Sequence, residues 1–177
     1  MRLPISIAIV ATITSALGVA CDSSNQHPEL RVALGQSALS LRQSIGVAAT
    51  HVPASAPVRA ALVPGLSPLY AVGSVDKTSL TAIRIDGKSG EVLSIAAAGT
   101  AQGLCAGSIS LSDALGVAEE RVAGEAIAVV PDDDVACAFE IQVLVGETLW
   151  EVKVASDGKV LEQELSDEYS GSEDPSE

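Results

Sequence analysis

The sequence predicts an α+β protein of two tandem units, each one helix packed on a small antiparallel sheet of three to four strands. Three observations predict it. The stretch "LSLRQSIGVA", Leu39 to Ala48, returns 70 residues later as "ISLSDALGVA", Ile109 to Ala118, with five of ten positions identical. Each copy opens on a serine and carries apolar residues at helical spacing. The stretch after each copy alternates apolar and polar residues with period two.

Ahead of the repeats stands an export signal, residues 1–20. Arg2 gives a short basic start, and "ISIAIVATITSALGVA" is an apolar run ending in small residues. The following "LGVAC" resembles the bacterial lipoprotein signal, in which a peptidase cuts before a cysteine that then carries acyl chains. It departs from that pattern in placing Gly18, not Leu17, three residues before Cys21. The resemblance implies lipidation of Cys21 and a membrane anchor through it; release as a secreted protein and an uncleaved anchor are the alternatives. Residues 21–37, beginning with the polar "DSSNQHPE" after Cys21, read as a tether.

The first unit covers residues 38–95. Ser40 and Gln43 form an S-x-x-Q capping-box pattern, after which Leu41, Ile45, Ala48 and Val52 make one apolar stripe. Pro53 ends the helix, and four strands are expected in "PVRAALV", "LYAVGSV", "TAIRI" and "DGKSGEVLSI". A small-residue linker, 96–107, leads to the second unit, 108–166. There Ser110 and Asp113 start a helix whose stripe is Leu111, Leu115, Ala118 and Val122, ended at Gly124. Strands come next in "AIAVV", in Phe139-Ile141-Val143, in Trp150-Val152-Val154 and after "SDGK". Gly46 and Gly116, at matching positions, suggest that a neighbouring backbone comes close to each helix. Residues 167–177 carry too little apolar surface to offset ordering entropy, and are expected to be a disordered acidic tail.

Of three cysteines, Cys105 and Cys137 remain as a pair if Cys21 is lipidated. In an oxidising compartment they would close a loop worth roughly 3–4 kcal/mol; two buried free thiols are the other reading. Zinc is disfavoured, because His27 and His51 are the only histidines and neither stands at ligand spacing from a cysteine. The net charge of −13 is unevenly placed. Residues 22–95 hold six basic and five acidic side chains, net +1, whereas residues 96–177 hold three basic and eighteen acidic, net −15. Such a chain repels phosphate and is expected to bind no nucleic acid. Its second half attracts a basic partner or divalent cations.

Taken together, "ISLSDALGVAEERV", the acidic break at Asp132–Asp134, "FEIQV", "WEVKV" and "DGKVL" resemble the PepSY domain family. Phe139-Glu140-Ile141 and Trp150-Glu151-Val152 stand at the family's aromatic-Glu-Val positions, and Gly158-Lys159-Val160-Leu161 at its terminal turn. The first copy departs more: Thr81 replaces the second aromatic, and "VPGLSP" replaces the acidic loop. The resemblance implies two tandem PepSY-like units and a role in restraining peptidases.

No catalytic constellation is legible. There is no H-E-x-x-H, "GQSAL" and "GLSPL" lack the second Gly of G-x-S-x-G, and "GKSGE" reads as a turn. His51 has no partner at readable spacing, and Asp132–Asp134 lacks the alternating ligands of a calcium loop. The expected function is therefore a non-enzymatic, cofactor-free binding protein of the bacterial envelope, periplasmic or on the outer surface. It would contact a protein partner, a peptidase acted on in trans. The alternative is a sensor that binds a small ligand or a divalent cation.

Overall fold

The computed structural model describes residues 26–101 and 103–172. The export signal, Cys21 and the last five residues of the expected tail lie outside the described residues. Among the described residues are three α-helices, α1 (Pro28–Gln36), α2 (Leu41–His51) and α3 (Leu111–Val122), and a short 3-10 turn at Ser170–Ser172. Four strands come after α2, namely β1 (Ala56–Val63), β2 (Leu69–Asp76), β3 (Ser79–Asp86) and β4 (Val92–Thr100). Four more come after α3, namely β5 (Glu125–Pro131), β6 (Phe139–Val145), β7 (Thr148–Val154) and β8 (Val160–Leu165).

The local chemistry explains the elements. Ser40 accepts from the Gln43 backbone N–H while Gln43 reaches back to the Ser40 N–H, so two orphan donors of α2 are satisfied at once. Ser110 caps α3 by accepting from the Asp113 N–H. Each helix is then seated by the turn between the last two strands of its own repeat. Ala38 N–H donates to Gly87 O, and Ile109 N–H donates to Ser156 O. Gly90 and Gly158 hold φ at 76° and 86° in those turns, a conformation glycine adopts without strain. Their bare α-carbons face the side chains of Leu39 and Ile109.

The expectation of two separate small units is overturned. All eight strands form one antiparallel sheet in the order β4-β3-β2-β1-β5-β6-β7-β8. The first strand of each repeat supplies the join: Ala60 pairs with Val129 and Ala61 with Ala128. The physical reason is that β1 and β5 would otherwise be open edges, and pairing them closes both at their centre. Burial obeys the same logic, since units of about 60 residues hold marginal cores alone. Here Ile45, Ala48, Tyr70 and Ile83 of the first repeat share one core with Leu115, Phe139, Ile141 and Val152 of the second. Both repeat helices lie on one face of the sheet, and the other face carries no helix of either repeat.

Three further expectations change. Residues 28–36 are helix, not tether: Pro28 fits the first turn, and Leu30 and Ala33 are buried in the shared core. α1 bridges the ends of both half-sheets, with His27 N–H on Glu147 O and, just past it, Ala38 N–H on Gly87 O. Ala96–Thr100, read as linker, belong to β4. Nor do Gly46 and Gly116 mark backbone contacts. Nothing lies within 4 Å of a Cβ built at Gly46, and at Gly116 the nearest atoms are those at the tip of the Arg42 side chain. Among the described residues no helix is long and apolar enough to cross a membrane.

Candidate functional site

The face of the second half-sheet turned away from α2 and α3 gathers the acidic side chains. Period two puts Glu140 and Gln142 of β6, Glu151 and Lys153 of β7, and Glu162 and Glu164 of β8 on it. Register sets them in two rows. Glu140 stands opposite Lys153, and Lys153 opposite Glu162; Gln142 stands opposite Glu151, and Glu151 opposite Glu164. Lys153 is the lone cation among them. Its Nζ is 2.8 Å from Asp132 Oδ2 and 3.9 Å from Glu162 Oε2.

Asp132 is accordingly committed to structure. Its side chain is 1 % exposed and also accepts from the backbone N–H groups of Asp134 and Val135. Burial opposes its ionisation, but the Lys153 contact and these bonds outweigh burial and hold its pKa below the ordinary range. For Glu140 and Glu151 the nearby Lys153 does not outweigh burial. Burial raises both, and the charge of Asp132 adds to it at Glu140; Glu151, with Glu140 on one side and Glu164 on the other, is pushed up to about 7. The face thus holds a carboxyl group that changes charge near neutral pH.

The chain after β8 completes the site by crossing this same face. Gln142, almost fully buried, donates from Nε2 to Glu168 O at 2.8 Å. Its Oε1 accepts from the Ser170 N–H and hydroxyl at 2.9 and 2.8 Å. Tyr169 then reaches the seam between the halves, where β1 and β5 have stopped pairing. Its hydroxyl donates to Leu62 O, with Ile127 O 3.2 Å away. Burial raises the Tyr169 pKa far above its ordinary value, so the hydroxyl stays a donor. A concavity of about 610 Å³ remains between this crossing segment and Glu140, Glu151 and Glu164. Residues 167–172, expected as the start of a disordered tail, instead pack on the sheet, with Tyr169 against the core.

Cys105 and Cys137 are bonded, with Cα atoms 5.6 Å apart. The bond ties the segment after β4 to the loop between β5 and β6. Beside it lies a second concavity of about 520 Å³, whose walls include Val58, Arg59, Leu104 and Phe139. His51 ends α2 and contacts Val47 O at 3.0 Å and the Thr50 hydroxyl at 3.2 Å, so it serves the helix terminus. His27 pairs with Glu29 at 3.2 Å, far in sequence from either cysteine of the bond. Among the described residues no three His, Cys, Asp or Glu side chains converge as a metal cluster.

Sequence reasoning read Asp132–Asp134 as an acidic break without calcium ligands and missed the pairing of Asp132 with Lys153, the Gln142 clamp and Tyr169. One signal was available: Tyr169 is the lone aromatic in an otherwise polar end. No family model matches the chain, and no curated protein matches it. The chain is similar to the crystal structure of a candidate lipoprotein from Clostridium difficile 630, at 18% identity and a TM-score of 0.47, over 73% of this chain and 95% of that one.

Proposed function

We propose that the chain is an exported, envelope-attached binding protein without catalytic activity, which holds a protein partner on the carboxylate face of β6, β7 and β8. The observation that carries this reading is the crowding of Glu140, Glu151 and Glu164 with a single, already committed lysine among them. A partner that brings lysine or arginine side chains to this face relieves the repulsion that adds to burial in raising Glu151. The apolar run and "LGVAC" at residues 1–21 support export and attachment through Cys21. The PepSY resemblance of Ile109 to Leu165 supports a peptidase, extracellular or periplasmic, as the partner restrained in trans.

Titrating the purified protein against metallopeptidases exported by the same cell tests this. Stoichiometric slowing is expected, weakened by Glu140→Gln and Glu151→Gln and by added salt. No slowing of any of them, with no complex formed, counts against the reading. Calorimetry with Ca²⁺ and Zn²⁺ addresses the cation-sensing alternative: heat and a melting shift with either ion, lost in Glu151→Gln, would favour it.

A further inference from the structure

The two edges of the sheet are unlike. β8 is guarded: Glu162 and Glu164 project from it, and Lys159 precedes it, so another strand meets charge there. β4 has no charge of its own; Glu91 precedes it, and register shifts interrupt its pairing with β3 near both ends, leaving Ser94 to Ala97 as the regular stretch. Its nine residues, "VLSIAAAGT", contain neither a charge nor a proline. Leu93 and Ile95 are 54% and 47% exposed. Ile95 pairs with Ile83 and so lies on the helix-bearing face, but α2 packs chiefly on β1 and β2, away from this edge. The outer backbone groups of this strand and its two apolar side chains are thus presented together.

We propose that β4 pairs antiparallel with β4 of a second copy of this chain, about a two-fold axis at Ser94. Three features favour a second copy. An antiparallel pairing centred on Ser94 places Leu93 opposite Ile95 of the second copy and Ile95 opposite its Leu93. Both exposed side chains then cover each other on one face. The charge distribution permits it as well. β4 ends the near-neutral half, whereas the acidic strands end at β8, seven strand spacings or about 33 Å away, several screening lengths at physiological salt. Two copies meeting at β4 keep their carboxylate faces apart, and those faces stay open at both ends of a sixteen-strand sheet. The chain also already uses this mode internally, where β1 and β5 join antiparallel through a short register.

Site-directed crosslinking of the full chain tests the pairing. Ser94→Cys is expected to form an interchain disulfide under mild oxidation, beyond the background of the wild type. Ala98→Cys, out of register, and Glu162→Cys, on the opposite edge, are expected to stay at that background. In sedimentation the wild type should dimerise with concentration, and Ile95→Lys should raise the dissociation constant about tenfold or more, with melting curves that agree at concentrations where both are monomeric. Glu151→Gln should leave dimerisation unchanged, which separates this pairing from the carboxylate face. Equal crosslinking at Ser94 and Glu162 would overturn the pairing, as would crosslinking at Ala98 in place of Ser94. So would a wild type that is monomeric at every concentration, including one whose β4 instead captures an extended segment of another protein.

Discussion

Ala60 and Val129 occupy corresponding positions in the two repeats, 69 residues apart, and they stand directly opposite each other where β1 meets β5. The pseudo-two-fold axis of the chain therefore passes beside this pair. The strands on either side bear it out: register shifts fall between Pro57 and Arg59 in β1, and between Ala126 and Ala128 in β5. One bulge in each repeat thus bends the central strands at matching points, and the ladder between them is confined to the residues around the axis.

That short ladder gives Tyr169 its importance. Its hydroxyl serves Leu62 O, with Ile127 O also near, just where inter-strand pairing has ceased. Tyr169→Phe should cost about 1–3 kcal/mol, the range for stranding a buried polar group. Urea unfolding checks this, with an unchanged m-value expected if the two halves still unfold together.

Stability should also report on Glu151. Its pKa is about 7 in the folded protein and lies near the ordinary glutamate value when unfolded. Between those values the folded state binds more protons, so the contribution of Glu151 is full at low pH and is lost as pH rises through about 7. The melting temperature of the wild type should fall relative to Glu151→Gln between about pH 5 and 8. A constant difference across that range would show that Glu151 does not titrate there.

The disulfide closes a loop with a sequence separation of 32 residues. The double variant Cys105→Ser, Cys137→Ser should lose about 3–4 kcal/mol by the loop-entropy argument. Reductant should lower the melting temperature of the wild type and leave that of the double variant where it is.

The paired glycines should respond differently to alanine. Gly46 faces open space, so Gly46→Ala should stabilise α2 by about 1 kcal/mol. At Gly116 the new methyl group meets Arg42 Nη2 at 2.9 Å, and that group bonds Glu119 at 2.7 Å. Gly116→Ala should therefore gain less, because an exposed ion pair worth about 0.2–1 kcal/mol must shift. Thermal melts of the two variants side by side decide it.

Local structure was legible in the sequence because local chemistry determines it. Ser40 with Gln43 wrote the start of α2, and Phe139-Ile141-Val143 wrote β6. The joining of the halves was not legible, because nothing in "PVRAALV" or "AIAVV" says whether an edge meets solvent or its own counterpart. α1 was hidden by its polar neighbours: in "PELRVALGQ" only Leu30 and Ala33 are buried, too few for a clear stripe. Of the carboxylate site, the excess of charge could be counted, but the rows that push Glu151 and Glu140 together exist only once β6, β7 and β8 are in register.

The join at β1 and β5 has the geometry of a clasp in which each hand grips the other by the same finger. A single repeat cut free of its twin would still carry that finger, and would meet in any identical fragment the grip it lost. The fused chain thus behaves as a dimer whose partner can never diffuse away.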